Sequence, residues 1–367
     1  MIAAGSTHDS RGGLEDVVAV RTRLSEVDGL AGELVIAGHR VEELAMTRGF
    51  EEICHLLWHG EFPTVKALED LHTQLGLRRV KIHGVLAKRG ASAMNDPMEA
   101  LRSVLSGFPS THDLVEDAIT MVAAVTVANA AWWSAQQGSL APAPREDLST
   151  AADYLRMLTR RDPEPAATRA LEQYLVTVSD HGMNASTFTA RIIASTRSDL
   201  VSAVVGAVGA LKGPLHGGAP GPVLEMLDAI GTPDQAEAWL RRELGAGRRI
   251  MGMGHRVYRV RDPRAAVFEG AVGQLSGAAG NRRLDLARSV ERTAEALLAD
   301  RYPDRSLKAN VEFYTAVLLE AVGVPRELFT ATFTVGRMAG WAAHVMEQRA
   351  EDRLIRPRSE YVGPRPA

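Results

Sequence analysis

The chain has 367 residues, of which 46% are apolar and 24% charged, the balance of a globule with a large core and room for two lobes. Forty-two Lys and Arg against 45 Asp and Glu leave a net charge of −3, which argues against a general nucleic-acid binder but allows a local basic site for an anion. The single cysteine, Cys54, excludes an intramolecular disulfide framework and any Cys-rich zinc or iron–sulfur site.

The opening stretch MIAAGSTHDSRGG has neither a basic n-region nor an apolar h-region, so no secretory signal is expected and a cytoplasmic location is. Gly32 to Gly38 (GELVIAG) alternates between turn residues and predicts one short hairpin. His55 and His59 stand four apart on one helix face, as zinc ligands can, but Leu56 replaces the Glu of a metalloprotease helix. No metal site is expected there. Residues 114–137, rich in Ala and Val without proline, predict a buried helix. The apolar run within it, Met121 to Ala135, is too short to cross a bilayer and carries Asn129, so no membrane partner is expected. Residues 150–160, 166–178, 185–195, 200–211, 221–230, 234–244 and 311–322 follow the same helical pattern between Gly, Pro and Asp punctuation. Thr232-Pro233-Asp234 reads as a helix start. Three stretches read as loops: Gly138 to Arg145, Gly245 to Arg264, and the Arg- and Pro-rich Leu354 to Ala367.

Five segments carry residues that a helical core does not need. In Lys212-Gly213-Pro214-Leu215-His216-Gly217-Gly218, a histidine sits on tight backbone that can approach a ligand, or caps a helix end. Residues 247–264 (GRRIMGMGHRVYRVRDPR) gather six arginines and His255 around a Gly-x-Gly turn. Guanidiniums beside exposed backbone N–H groups hold phosphates or carboxylates; the alternative is a solvated basic loop. Asn310-Val311-Glu312-Phe313-Tyr314 places one carboxylate among apolar neighbours at a helix start. Burial would suit it to proton abstraction, while the helix dipole alone would also explain an acid there. In Asp180-His181-Gly182-Met183-Asn184-Ala185-Ser186, Asn184 or Ser186 serves as a cap and His181 is left over. Arg337 lies in the small, apolar helical stretch Val335 to Trp341, where a cation is costly without an anion partner.

Taken together and in this order, His181, His216, His255, Glu312, Arg337 and Arg356 resemble the citrate synthase family, the likeness running from Gly13 to Tyr361 in the shorter bacterial and archaeal form. The resemblance implies an all-α, two-domain helical fold, with a large domain over 1–217 plus 321–367 and a small domain over 218–320. It implies a homodimer that condenses acetyl-CoA, or propionyl-CoA, with oxaloacetate, with neither metal nor organic cofactor. By the same resemblance His216 bonds the thioester oxygen, His255 polarises the keto oxygen, and Glu312 is the base. His181, His255, Arg264 and Arg337 hold oxaloacetate with Arg356 from the partner subunit. Met251, Gly252, Met253 and Gly254 line the adenine loop, Arg259 contacts phosphate, and Ser186 orients the His216 ring. The departure is Glu312, where the family usually has aspartate; one extra methylene displaces the carboxylate unless backbone or rotamer compensates. A non-catalytic binder of CoA or a dicarboxylate is the competing reading.

Overall fold

The computed structural model describes residues 14, 17–89, 94–216, 220–255, 257–275 and 278–366. It opens with a small antiparallel sheet, β1 (Ser25–Asp28), β2 (Glu33–Ile36) and β3 (His39–Arg40), in that order, with Ser25 opposite Ile36 and Asp28 opposite Glu33. Fifteen α-helices follow among the described residues. They are α1 (Val41–Thr47), α2 (Phe50–His59), α3 (Val65–Arg89), α4 (Pro97–Leu105), α5 (Leu114–Gln136), α6 (Thr150–Thr159), α7 (Pro165–Thr177) and α8 (Ala185–Ser195). Then come α9 (Leu200–Leu211), α10 (Pro220–Ile230), α11 (Ala236–Gly245), α12 (Pro263–Gly273), α13 (Ala278–Arg301), α14 (Val311–Ala321) and α15 (Phe329–Glu351). The all-α expectation therefore holds.

The expected hairpin is present as β1 and β2, and the chain turns again at Ala37-Gly38 to add β3 to the far edge of β2. Two expectations need correction. The helix expected from Asp234 begins as a 3-10 turn, Pro233–Gln235, and becomes α-helical only at Ala236. The loop expected to run to Arg264 ends at Asp262, whose carboxylate accepts the Arg264 N–H at 3.0 Å and caps α12. Pro263 then fills the first helical position, so Arg264 stands in the first turn of the helix.

Helix α5 is long and apolar enough to cross a membrane by length and composition, yet most of it is buried inside the protein. It packs against α3, α4, α6 and α15, serving as a core helix. Helix α15 crosses the same core and touches α2, α7, α8 and α9. A Cβ at Gly340 would lie 2.2 Å from the Ser179 carbonyl, and one at Gly336 would lie 2.8 Å from that of Leu175. These two glycines, one turn apart, let the 175–180 segment lie directly on α15.

Candidate active site

Three helices begin at one place. Asn184 caps α8, Asp262 caps α12 and Asn310 caps α14, each through a side-chain oxygen that accepts first-turn N–H groups. The chemistry-bearing residues sit at those same ends: His181 and Ser186 at α8, Arg264 at α12 and Glu312 at α14. Helix N-termini favour anions, and they frame this site. Asn184 is the cap, while Ser186, the other candidate, spends its hydroxyl elsewhere.

His216 lies in the turn after α9, its backbone N–H bonded to the Gly213 carbonyl at 2.9 Å. Its Nε2 meets the Ser186 hydroxyl at 2.7 Å. That hydroxyl accepts the indole N–H of Trp341 at 3.1 Å and donates to Asn184 Oδ1 at 2.8 Å. Burial, with the Arg337 charge nearby, pushes the His216 ring down to about 4, so it is neutral at pH 7. Gly217, Gly218 and Ala219, with the expected domain boundary at 218, lie outside the described residues, as does Arg256.

His255 Nδ1 accepts two backbone N–H groups, from Val257 and Tyr258, both at 3.0 Å. A nitrogen that accepts twice carries no proton, so the neutral ring holds its hydrogen on Nε2. Burial and the Arg264 cation push His255 to about 4. The ring centroid of His181 is 5.8 Å away, and His181 Nε2 meets the Tyr258 hydroxyl at 3.2 Å. Burial, then Arg264 and Arg337, hold His181 well below its ordinary value.

The two arginines differ. Arg264 donates Nε and Nη2 to Asp262 at 2.9 and 2.7 Å, a buried bidentate pair that leaves Nη1 over. Arg337, also buried, donates Nε to the Val178 carbonyl at 2.7 Å and stacks 4.7 Å from the Phe333 ring centroid. It forms no ion pair among the described residues, and burial draws it down to about 10, opposed most by the Asp180 charge. Glu312 has its backbone N–H on Asn310 Oδ1 at 3.0 Å. Burial pushes its carboxyl up to about 7, although Arg264 and Arg337 both oppose that rise.

The Met251 to Gly254 loop is stitched to the segment entering α14. Gly254 N–H bonds the Lys308 carbonyl at 2.7 Å, Asn310 N–H the Gly252 carbonyl at 2.9 Å, and Asn310 Nδ2 the Gly254 carbonyl at 2.8 Å. Gly252 takes φ +75°, and a Cβ there would lie 2.9 Å from Phe313. Asn310 thus ties the loop to the helix that carries Glu312. Arg259 is exposed, its guanidinium 3.4 Å from the His255 carbonyl. Arg356 is exposed in the C-terminal segment and joins none of these contacts. His55 and His59 stack at 4.4 Å, and no group of three or more metal-ligating side chains exists among the described residues.

The fold therefore gathers His181, His216, His255, Arg264, Glu312, Arg337 and Ser186 around one site, with Arg356 outside it. Sequence reasoning missed Tyr258, Asp262, Asn310 and Trp341. Asp262 and Asn310 carry a cap-before-helix signal that was there to read; Trp341 carries none, because Ser186 is 155 residues away.

A family model described as the C-terminal domain of citrate synthase matches residues 13–358. The citrate synthase of Haloferax volcanii is 37% identical, the alignment covering 96% of this chain and 95% of the relative. The crystal structure of citrate synthase from Thermotoga maritima aligns with a TM-score of 0.84 at 36% identity, over 97% of this chain and 96% of that one. The citrate synthase of the archaeon Thermoplasma acidophilum, solved as a ternary complex with carboxymethyl coenzyme A and oxaloacetate, aligns with a TM-score of 0.85 at 28% identity. There too the match covers 97% and 96% of the two chains.

Proposed function

The chain belongs to the citrate synthase family and is a condensing acyltransferase; on that premise we propose that it joins acetyl-CoA to oxaloacetate and hydrolyses the product thioester to citrate and CoA. The observation that supports this most is the grouping of a carboxyl raised to about 7 with two neutral imidazoles and an unpaired buried guanidinium.

In this reading Glu312 takes a proton from the acyl α-carbon. A carboxylate with its affinity near neutrality does this far better than an exposed one. Charge then develops on the thioester oxygen, where the His216 ring donates. The Ser186 hydroxyl has one proton, given to Asn184 Oδ1 at 2.8 Å, an oxygen that two backbone N–H groups at 3.2 and 3.1 Å also serve. In this reading that proton turns to His216 Nε2 as the thioester binds, which leaves the ring hydrogen on Nδ1, free for the enolate oxygen. The enolate carbon attacks the keto carbon of oxaloacetate while His255 Nε2–H gives its proton to the keto oxygen. Water then cleaves the thioester, releasing the CoA thiol. Arg337, Arg264 Nη1 and His181 hold the oxaloacetate carboxylates. Met251 to Gly254 and Arg259 hold CoA.

The reading needs no metal or organic cofactor. It includes a homodimer in which Arg356, exposed in the C-terminal segment, would complete the site of the other subunit. A small domain over 218–320 would close over the substrates and exclude water. One buried free thiol, Cys54, suits the reducing cytoplasm. Thiol release with oxaloacetate and either acetyl-CoA or propionyl-CoA tests the proposal. Faster turnover of acetyl-CoA supports it, faster turnover of propionyl-CoA makes the product 2-methylcitrate, and binding without release makes the chain a non-catalytic binder.

A further inference from the structure

Strand β1 presents one face to the site. Residues 25, 27 and 29 alternate with exposed Glu26 and Asp28, so their inward positions share a side. The Ser25 hydroxyl donates to Asp180 Oδ2 at 2.5 Å and accepts the Gly182 N–H at 2.8 Å. It therefore grips the residues on both sides of His181, the Asp180 carboxylate and the Gly182 amide. Val27 follows, its Cγ2 3.3 Å from where a Cβ on Gly182 would lie. Gly29 then accepts the Arg259 N–H at 2.8 Å, one residue beyond Tyr258 and four beyond His255. A Cβ at Gly29 would stand 2.3 Å from the Val257 carbonyl oxygen, a distance no real contact sustains. Gly29 is glycine because the His255 loop lies on its backbone.

Asp180 is anchored from its other side. His344 Nδ1 takes a hydrogen bond from Arg191 Nη1 at 3.0 Å, which leaves the His344 proton on Nε2, 3.2 Å from Asp180 Oδ2. Among the described residues Ser25 and His344 are thus the two donors on one buried carboxylate, with the α15 core behind it.

We propose that the β1 hairpin is a positioning strut that sets the separation of His181 and His255, with Ser25 fixing the first and Gly29 fixing the second. No other described element makes backbone hydrogen bonds to both histidine segments. The strut touches no substrate; it holds the ring that binds a carboxylate against the ring that protonates the keto oxygen. This rests on the condensing function proposed above, because the kinetic arm of its test reads oxaloacetate.

The test uses the full-length protein. Ser25→Ala is expected to raise the oxaloacetate KM about tenfold, as the loss of a hydrogen-bonded hydroxyl at a charged site does, with the acyl-CoA KM unchanged. Ser25→Thr keeps the hydroxyl and is expected to restore it. Gly29→Ala displaces the His255 loop and is expected to lower kcat about tenfold or more. A merely structural role would lower the melting temperature and move both KM values together. Hydrogen exchange across 180–184 and 257–262 gives a readout free of activity: Ser25→Ala should deprotect the Gly182 amide and Gly29→Ala the Arg259 amide. Unchanged exchange at both places overturns the strut, as does an oxaloacetate KM indifferent to Ser25→Ala. A wild-type protein without turnover overturns the condensing reading alone, and the exchange measurement still decides the strut.

Discussion

The guanidinium of Arg264 is gripped by the carboxylate of Asp262, two residues before it, through paired bonds of 2.9 and 2.7 Å. The pair sits beside Glu312 and acts on it in opposite senses, Arg264 drawing its proton affinity down and Asp262 pushing it up. Replacing the arginine therefore removes the favourable charge and frees the unfavourable one. In Arg264→Gln the pH dependence of kcat/KM for the acyl-CoA should shift to higher pH, since Glu312 then ionises later. A profile that stays in place shows that Glu312 is not the group being titrated.

In the unaltered enzyme, the same profile should rise with pH and bend near 7, the value to which burial pushes Glu312. Glu312→Gln should abolish turnover. Glu312→Asp should retain the base but withdraw it by about 1 Å, lowering kcat on the order of a hundredfold. Comparable activity would mean that the backbone adjusts freely and that the extra methylene carries no positional role.

Glu312 also makes a stability prediction. Its affinity is raised from 4.5 to about 7 in the folded state, so the folded protein binds the proton more tightly than the unfolded chain. The stability this contributes is complete below pH 4.5 and is lost as pH rises through 7. Glu312→Gln should accordingly stabilise the protein at pH 8 by about 1–3 kcal/mol and leave it unchanged at pH 4. Thermal melts at the two pH values check the sign.

Ser186 holds His216 from behind, its hydroxyl 2.7 Å from the ring Nε2. His216→Ala should cost about a hundred- to a thousandfold in kcat, the range for losing an oxyanion donor. Ser186→Ala should cost less, about ten- to a hundredfold, with KM for oxaloacetate little changed. Equal losses in the two variants would place Ser186 in direct contact with the thioester.

Arg337 supplies a charge that the folded protein leaves unpaired among its described residues. Oxaloacetate should supply the missing anion and raise the melting temperature, by about 2.7 kcal/mol of stability at a hundred times its Kd. Arg337→Ala should erase that rise, and Arg337→Lys should recover little of it, because an ammonium cannot grip a carboxylate in two places. A full ligand-induced rise in Arg337→Ala would remove this residue from the oxaloacetate site.

The helices that composition marks best are those whose burial needs no partner to explain it. Helices α5 and α9 read plainly because Ala, Val and Leu recur through most of their length. Helices α3 and α13 did not, since each carries arginines and acids along most of its length and shows only a weak apolar side. The third strand was missed because two residues carry no period.

The sequence by itself determined an all-α chain and the chemical cast: histidines on tight turns, a carboxylate at a helix start, and arginines where an apolar stretch has no use for them. Those residues are conspicuous because burying a charge or leaving a histidine among glycines costs free energy that packing alone does not return. Only the tertiary structure decided which arginine is already paired, which nitrogen of His255 holds the proton, and how Ser25 comes to grip the residues flanking a histidine 156 residues further on. Such relations join segments far apart in sequence, through hydrogen bonds that act over about 3 Å. Local pattern carries no information about a distance that the packing of α8, α12, α14 and α15 sets.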